Sequence, residues 1–194
     1  YEDMQVRTTD LTTAVPTMRL SNAAEASTKG LEVEFKARVS ETLLLSGGVG
    51  YTDAQFDNYQ GHRDSRTRSL VDVSGMDIPL APKLTANMTA RHTMQFASGT
   101  LISRLDYSFI DSRYSNSGIN NTDDYLLPTR HLVNARVSFS PSGSGWNAAL
   151  WVRNATDYDN KTFSSFRPVP PPSGAVVAKY QEPRSYGVSV NYSF

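Results

Sequence analysis

The sequence predicts an all-β fold, an antiparallel up-and-down barrel of the kind that crosses a membrane with strands. Three observations lead there. Apolar and polar residues alternate with a period of two through most of the chain. The breaks between alternating runs are short and long in turn, and the aromatics gather at both ends of the runs. Side chains in a strand point to opposite faces in succession, so such runs separate an apolar face from a polar one. Short turns on one rim and long loops on the other are the rhythm of an outer-membrane barrel.

Taken in order, eight strands are expected, at about 1–9, 15–39, 43–57, 80–96, 100–114, 128–140, 146–158 and 180–194. In the second, Leu31, Val33, Phe35, Ala37 and Val39 alternate with Glu32, Glu34, Lys36 and Arg38. In the fourth, Leu84, Ala86, Met88 and Ala90 oppose Thr85, Asn87, Thr89 and Arg91, and His92 falls on the apolar side as a defect. The fifth sets Leu105, Tyr107 and Phe109 against Arg104, Asp106 and Ser108. The sixth sets Val133, Ala135 and Val137 against Asn134 and Arg136, and the seventh sets Leu150 and Val152 against Arg153. The eighth is the most regular: Tyr186, Val188, Val190, Tyr192 and Phe194 share a face, opposite Ser185, Gly187, Ser189, Asn191 and Ser193. Each run fits the strand template and not the helical one. Several exceed the ~9–11 residues that a membrane-crossing strand needs.

Short breaks fall near residues 40–42, 97–99 and 141–145, and long ones at about 57–78, 115–126 and 159–179, with a smaller one near 10–14. Phe96, Phe139, Trp146, Tyr192 and Phe194 lie by the short breaks. Tyr51, Phe56, Tyr107, Phe109, Tyr114, Tyr158 and Tyr186 lie toward the long ones. Two aromatic belts around a Leu, Val and Ala band describe interfacial girdles.

Composition narrows the function classes. The 194 residues carry no net charge, which gives no reason to expect nucleic acid as a partner. Mean hydropathy is −0.42, and no stretch approaches the ~18 apolar residues of a membrane helix. Cysteine is absent, and His62, His92 and His131 are scattered without ligand spacing, so no metal and no cofactor are expected. No nucleophile elbow or Ser/His/Asp grouping appears, and no enzymatic activity is expected. The chain opens without an initiator methionine or a signal-peptide pattern, in what reads as mid-strand, so a fragment of a longer chain is expected. Two rivals remain: a self-contained eight-stranded outer-membrane barrel with a structural or adhesive role, and a soluble β-sandwich binding module.

Five segments carry a family resemblance: Asn22-Ala23-Ala24-Glu25-Ala26-Ser27-Thr28-Lys29-Gly30-Leu31-Glu32-Val33-Glu34; Leu80-Ala81-Pro82-Lys83-Leu84-Thr85; Leu127-Pro128 with Val133-Asn134-Ala135-Arg136; Leu150-Trp151-Val152-Arg153-Asn154-Ala155-Thr156-Asp157; and Glu182-Pro183-Arg184-Ser185-Tyr186-Gly187 through Phe194. In this order and spacing the chain resembles the C-terminal part of the barrel of TonB-dependent outer-membrane receptors. The resemblance implies that residues 1–194 are the last eight strands of a barrel of about 22, without the plug domain. It further implies a place in the outer membrane of a Gram-negative bacterium and TonB-dependent uptake of a scarce nutrient, chiefly a ferric siderophore. The expected partners are outer-membrane lipid and lipopolysaccharide, the plug and N-terminal strands of the same receptor, TonB acting through that plug, and the barrel-assembly machinery. Tyr186, Val188, Val190, Tyr192 and Phe194 match the C-terminal signal which that machinery reads.

Candidate ligand contacts come from the long breaks. The first holds His62-Arg63-Asp64-Ser65-Arg66-Thr67-Arg68, and Arg63, Arg66 and Arg68 suit an anionic ligand because guanidinium pairs bidentately with oxyanions. A solvated loop, or arginines on lipopolysaccharide phosphates, reads the same residues. Tyr114, Tyr125 and Arg130 bracket the second long break, and girdle placement competes with ligand stacking there. Phe166 and Arg167 stand before the Pro-rich run of the third, which stiffens the loop that would present them.

Overall fold

The structure, a computed structural model, describes residues 2, 4–10, 17–64, 67, 69–115, 122–168 and 174–194. Its strands are β1 (Met4–Asp10), β2 (Thr17–Arg38), β3 (Leu43–Asn58), β4 (His62–Arg63), β5 (Leu70–Val71), β6 (Leu84–Phe96), β7 (Gly99–Ile110), β8 (Arg113–Tyr114), β9 (Leu126–Leu127), β10 (Arg130–Pro141), β11 (Trp146–Arg153), β12 (Lys161–Pro168), β13 (Gly174–Tyr180) and β14 (Ser185–Tyr192). One 3-10 turn, Asp123–Tyr125, precedes β9. The expected eight-strand wall is there: β1, β2, β3, β6, β7, β10, β11 and β14 lie side by side in that order, each antiparallel to the next. β1 and β14 are the two edges, and the wall is an open part of a barrel. The small break expected near residues 10–14 lies mostly outside the described residues.

Register makes the two faces continuous. Val33 pairs with Val49, Val49 with Ala86, and Ala86 with Phe109. Farther along, Ala90 pairs with Leu105, Leu105 with Ala135, Ala135 with Val152 and Val152 with Tyr186. A slip of one residue anywhere would turn a strand's apolar set to the wrong side, so the alternation itself specifies the pairing. The apolar side chains have nothing packed over them: Leu31, Val33, Leu105, Val137, Val188 and Val190 are exposed, and Leu150 is 63% exposed. A contiguous apolar face of this extent in water would be an aggregation liability, whereas lipid covers it at no such penalty. Gly30 holds β2 close to β3, where an added Cβ would lie 2.4 Å from the Tyr51 carbonyl oxygen.

His92, which broke the apolar pattern, pairs with Leu43 at the short turn, and its Nε2 lies 3.1 Å from Thr42 Oγ1. It therefore sits at the rim, where a polar group finds a partner, and not in the middle of the apolar band.

Two expectations need correction. The long breaks are not bare loops: they fold into the hairpins β4–β5, β8–β9 and β12–β13. The two-residue strands β4, β5, β8 and β9 carry too little alternation to show in a sequence, and the longer β12 ends at Pro168, beside the Pro-rich run that reads as a loop. Phe56, expected in an aromatic belt, is instead buried with Ala26, Tyr59 and Val73, against Val71, Met76 and Ile78. Thus β2 and β3 extend beyond the band and pack a small core with the chain that follows.

The outer segments are also tied to one another. Leu80 donates its backbone N–H to Tyr114 O (2.8 Å), Ser115 Oγ donates to Ser164 O, and Ser164 Oγ donates to Asp124 O (3.0 Å). Ser115, Tyr125, Leu127 and Ser164 are buried where these hairpins meet.

Candidate functional site

The polar face of the wall carries the charges. Arg91 on β6 stands directly opposite Arg104 on β7, which stands opposite Arg136 on β10. Like charges in register repel, so such a row needs compensation or water. Asp106 supplies part of it: Arg104 Nε and Nη2 donate to its carboxylate at 2.8–2.9 Å, and Thr89 Oγ1 donates at 2.7 Å. On β11, Trp151 lies on the same face, with its indole over Gly187, its Nε1 donating to Ser189 Oγ (3.2 Å) and the Arg153 guanidinium 5.2 Å from its ring. The bare α-carbon of Gly187 is what admits the indole. A Cβ there would meet it at 2.5 Å.

Nearer the outer hairpins the same face is organised by Asn154. This residue ends β11 with a positive φ of 50°, which explains why the seventh strand stops at Arg153 and not at 158. It is buried and fully engaged. Its N–H donates to Asn134 Oδ1 (2.9 Å), and its Nδ2 donates to Tyr158 O and Glu182 O (2.9 Å each). Its Oδ1 accepts from Thr156 Oγ1 (3.1 Å) and Tyr158 N (2.9 Å). Asp157, also at positive φ, pairs with Arg184 through backbone and guanidinium, both at 3.2 Å. The Asn154–Asp157 and Glu182–Arg184 segments, separate in sequence, are each other's partners.

This turn places Tyr158, whose hydroxyl donates to Pro128 O at 3.2 Å. Pro128 stands between Leu127, the β9 partner of Arg113, and Arg130, the first residue of β10. Arg130 falls on the polar face, two and four residues before Leu132 and Asn134, and its Nε is buried without a hydrogen-bond partner. Burial, and then the nearby Arg130 cation, pushes Arg113 below the usual guanidinium range, while Tyr158 acts in the opposite sense. Burial likewise pushes the Tyr158 phenol up, against the pull of Arg130 and Arg113, with the Asp159 carboxylate adding to the rise. Two partly buried cations beside a phenol, without an ion pair among the described residues, form a site suited to an oxyanion.

The described residues include no group of three or more His, Asp or Glu that could hold a metal. A family description, the TonB-dependent receptor-like β-barrel, matches residues 1–155. The chain belongs to the TonB-dependent receptor β-barrel family. Solved structures carry the same fold. The ferric yersiniabactin uptake receptor FyuA of Yersinia pestis aligns over 91% of this chain and 25% of its own, at 19% identity and a TM-score of 0.70. The siderophore receptor PiuA of Acinetobacter baumannii aligns over 98% and 24%, at 18% identity and a TM-score of 0.73. BauA, the ferric preacinetobactin receptor of the same organism, aligns over 98% and 26%, at 21% identity and a TM-score of 0.61. The chain thus spans about a quarter of each of these proteins. TonB-dependent receptors are transporters and not enzymes, and their barrels lie in the outer membrane of Gram-negative bacteria.

Within this receptor wall, the residues expected at a ligand scatter. Arg130 is in the cationic pair. Tyr114 is half-buried in β8, next to Arg113, with its carbonyl taken by Leu80 N. Tyr125 is 2% exposed among the outer hairpins, so it is enclosed by protein. Arg63 lies in β4, and Phe166 and Arg167 lie in β12. Arg66 and Arg68 fall outside the described residues. The proposed assembly residues Tyr186, Val188, Val190 and Tyr192 line the exposed apolar face of edge strand β14, with Phe194 just beyond; the Tyr192 ring lies tilted against Trp146 (4.8 Å) and edge-to-face with Phe194 (5.0 Å). Arg113 and Tyr158 went unrecognised in the sequence. The available signal was positional: Arg113 and Arg130 bracket one break, and the two ends of a hairpin meet.

Proposed function

We propose that this chain is the C-terminal wall of an outer-membrane receptor that takes up a ferric siderophore by a TonB-dependent route. The observation that carries the reading is the pairing of an uncovered apolar face with a charged opposite face on one open wall. A wall of this kind suits a wide, hydrated lumen, because a closed barrel of about eight strands leaves room only for side chains. The siderophore receptors that share the fold support the choice of cargo, and family membership supports TonB as the energy source. In this reading the apolar face meets lipid, the outer hairpins meet lipopolysaccharide, and the polar face meets the plug and the passing ligand.

The test uses the complete receptor in cells starved of iron. Its deletion should abolish uptake of radiolabelled iron from at least one ferric siderophore, and loss of TonB should do the same. Unchanged uptake of every ferric siderophore offered would overturn the cargo.

The terminal strand has a second task in this reading. Tyr186 through Phe194 seals the barrel at one edge and presents the assembly signal. Removing Phe194 should lower the amount inserted in the outer membrane more than it lowers stability in detergent. Equal membrane yield would remove that role.

A further inference from the structure

Short turns join β2 to β3, β6 to β7 and β10 to β11, and a tight turn sets the register of the strands it joins. The edge strand β14 has no such turn, since the long segment 154–184 connects it to β11. Alternation does not fix its register either. A slip of one residue turns the apolar face inward, but a slip of two keeps both faces and every hydrogen-bonding direction. Moved by two in one direction, β14 would set Val190 against Leu150, Val188 against Val152 and Phe194 against Trp146, still apolar against apolar.

The polar face does discriminate. Trp151 stands opposite Gly187, the only glycine in β14, and three indole atoms lie 2.5–3.1 Å from where a Cβ would be. A two-residue slip in either direction puts a serine, Ser185 or Ser189, under the ring. The ring is held where it is: its Nε1 donates to Ser189 Oγ (3.2 Å), and the Arg153 guanidinium stands 5.2 Å from its centre. An indole seated on a strand glycine is thus tied to one position. At the outer rim, the contacts of Asn154 with Glu182 and of Asp157 with Arg184 agree with this register, but they lie beyond the ends of the paired strands.

We infer that the Trp151 indole and the bare α-carbon of Gly187 form a register key for the last strand, and so position the free edge that β14 offers for barrel closure. A strand set two residues off would carry its unpaired backbone groups roughly 7 Å along its axis. Whatever strand completes the barrel would then inherit the error. Trp151 and Gly187 are positioning residues here and touch no cargo. That the assembly machinery reads this strand rests on the function proposed above; that the pair sets its register does not.

The experiment uses the complete receptor in cells, with any cysteine elsewhere replaced, and reads register by disulfide formation. Directly opposed Cα atoms fall within the ~4.4–6.8 Å that a disulfide spans, while diagonal neighbours at about 7–8 Å fall outside it. Leu150→Cys with Val188→Cys should therefore oxidise, and Leu150→Cys with Val190→Cys should stay reduced. Moving the glycine, by Gly187→Ala with Ser189→Gly, should reverse that preference. Removing the indole, by Trp151→Ala, should let both pairs oxidise. An unchanged preference for the Val188 pair in either background would overturn the inference. Should these receptors fail to insert, refolding the purified chains from urea into detergent gives the same reading. Gly187→Ala alone should lower the folded amount severalfold, and adding Trp151→Ala should restore it. A defect that persists without the indole would also overturn the key. Removing Phe194 separates the two claims. A register that depends on Trp151, with membrane yield indifferent to Phe194, sinks the assembly signal and leaves the key. A yield that needs Phe194, in a strand whose register ignores Trp151, does the reverse.

Discussion

The wall and the outer hairpins of this receptor invert the usual relation between apolar side chains and burial. In the wall, the apolar residues are the exposed ones, and backbone pairing along eight strands holds the sheet together. At the hairpin end, Phe56 on the extension of β3 and Tyr59, Val73, Tyr125 and Leu127 beyond the wall are buried as in any water-soluble protein. On the proposed reading, two solvents shaped one chain: lipid serves as the missing half of the core for the wall, while the hairpins, standing in water, build their own.

The largest effect should come from the hairpin core. Phe56→Ala removes the ring against Tyr59 and the Val73 cluster, and the local penalty should be about 3–5 kcal/mol. Hydrogen exchange should then show amides of Val73 and Gly75 opening while the wall keeps its protection. If the wall unfolds along with them, the two regions are not separate. Next comes Leu150→Arg, which should cost about 2–4 kcal/mol in lipid if that residue faces the mid-membrane. A neutral result in a folding titration would blunt the contrast from the other side.

Asn154→Ala probes the seam between the two regions. It leaves the Tyr158 and Glu182 carbonyls, the Tyr158 N–H and the Thr156 hydroxyl short of partners, for about 1–3 kcal/mol, and should loosen Tyr158. The smallest effect is one of pH. Burial holds His62 below its usual value, with Asp64 opposing, and Tyr59 Oη lies 3.1 Å from its Nδ1. The folded hairpin therefore binds fewer protons than the open one. Its contribution is complete above the unfolded value of about 6.5 and is lost as pH falls through the folded value. Exchange at Asp64 N–H, corrected for intrinsic rate, should quicken below that pH, and His62→Gln should remove the dependence.

The wall was legible because a period of two over a dozen residues is a strong pattern, and Val33, Leu105 and Leu150 face where the alternation puts them. The short hairpins were not, since β4, β5, β8 and β9 are two residues each, and β12–β13 was masked by the Pro-rich run that reads as a loop. Distance in sequence hid the site. Arg130 stood out as a cation by a long break, but Arg113 joins it only through the pairing with Leu127, and Tyr158 only through the Asn154 turn. Tyr125 shows the converse: an aromatic in a polar stretch suggests a ligand, and here it is packing.

Residues 1–194 hold no cysteine, so with any cysteine elsewhere in the receptor replaced, a single introduced cysteine carries one spin label, and this gives the most direct test of the central claim that one face meets lipid and the other a hydrated lumen. Labels at Leu150→Cys and Val188→Cys would be compared with labels at Arg136→Cys and Arg153→Cys, in the complete receptor reconstituted in bilayers. The first two should collide preferentially with dissolved oxygen, and the second two with a water-soluble nickel chelate. Equal exposure of all four positions to the chelate would contradict the account.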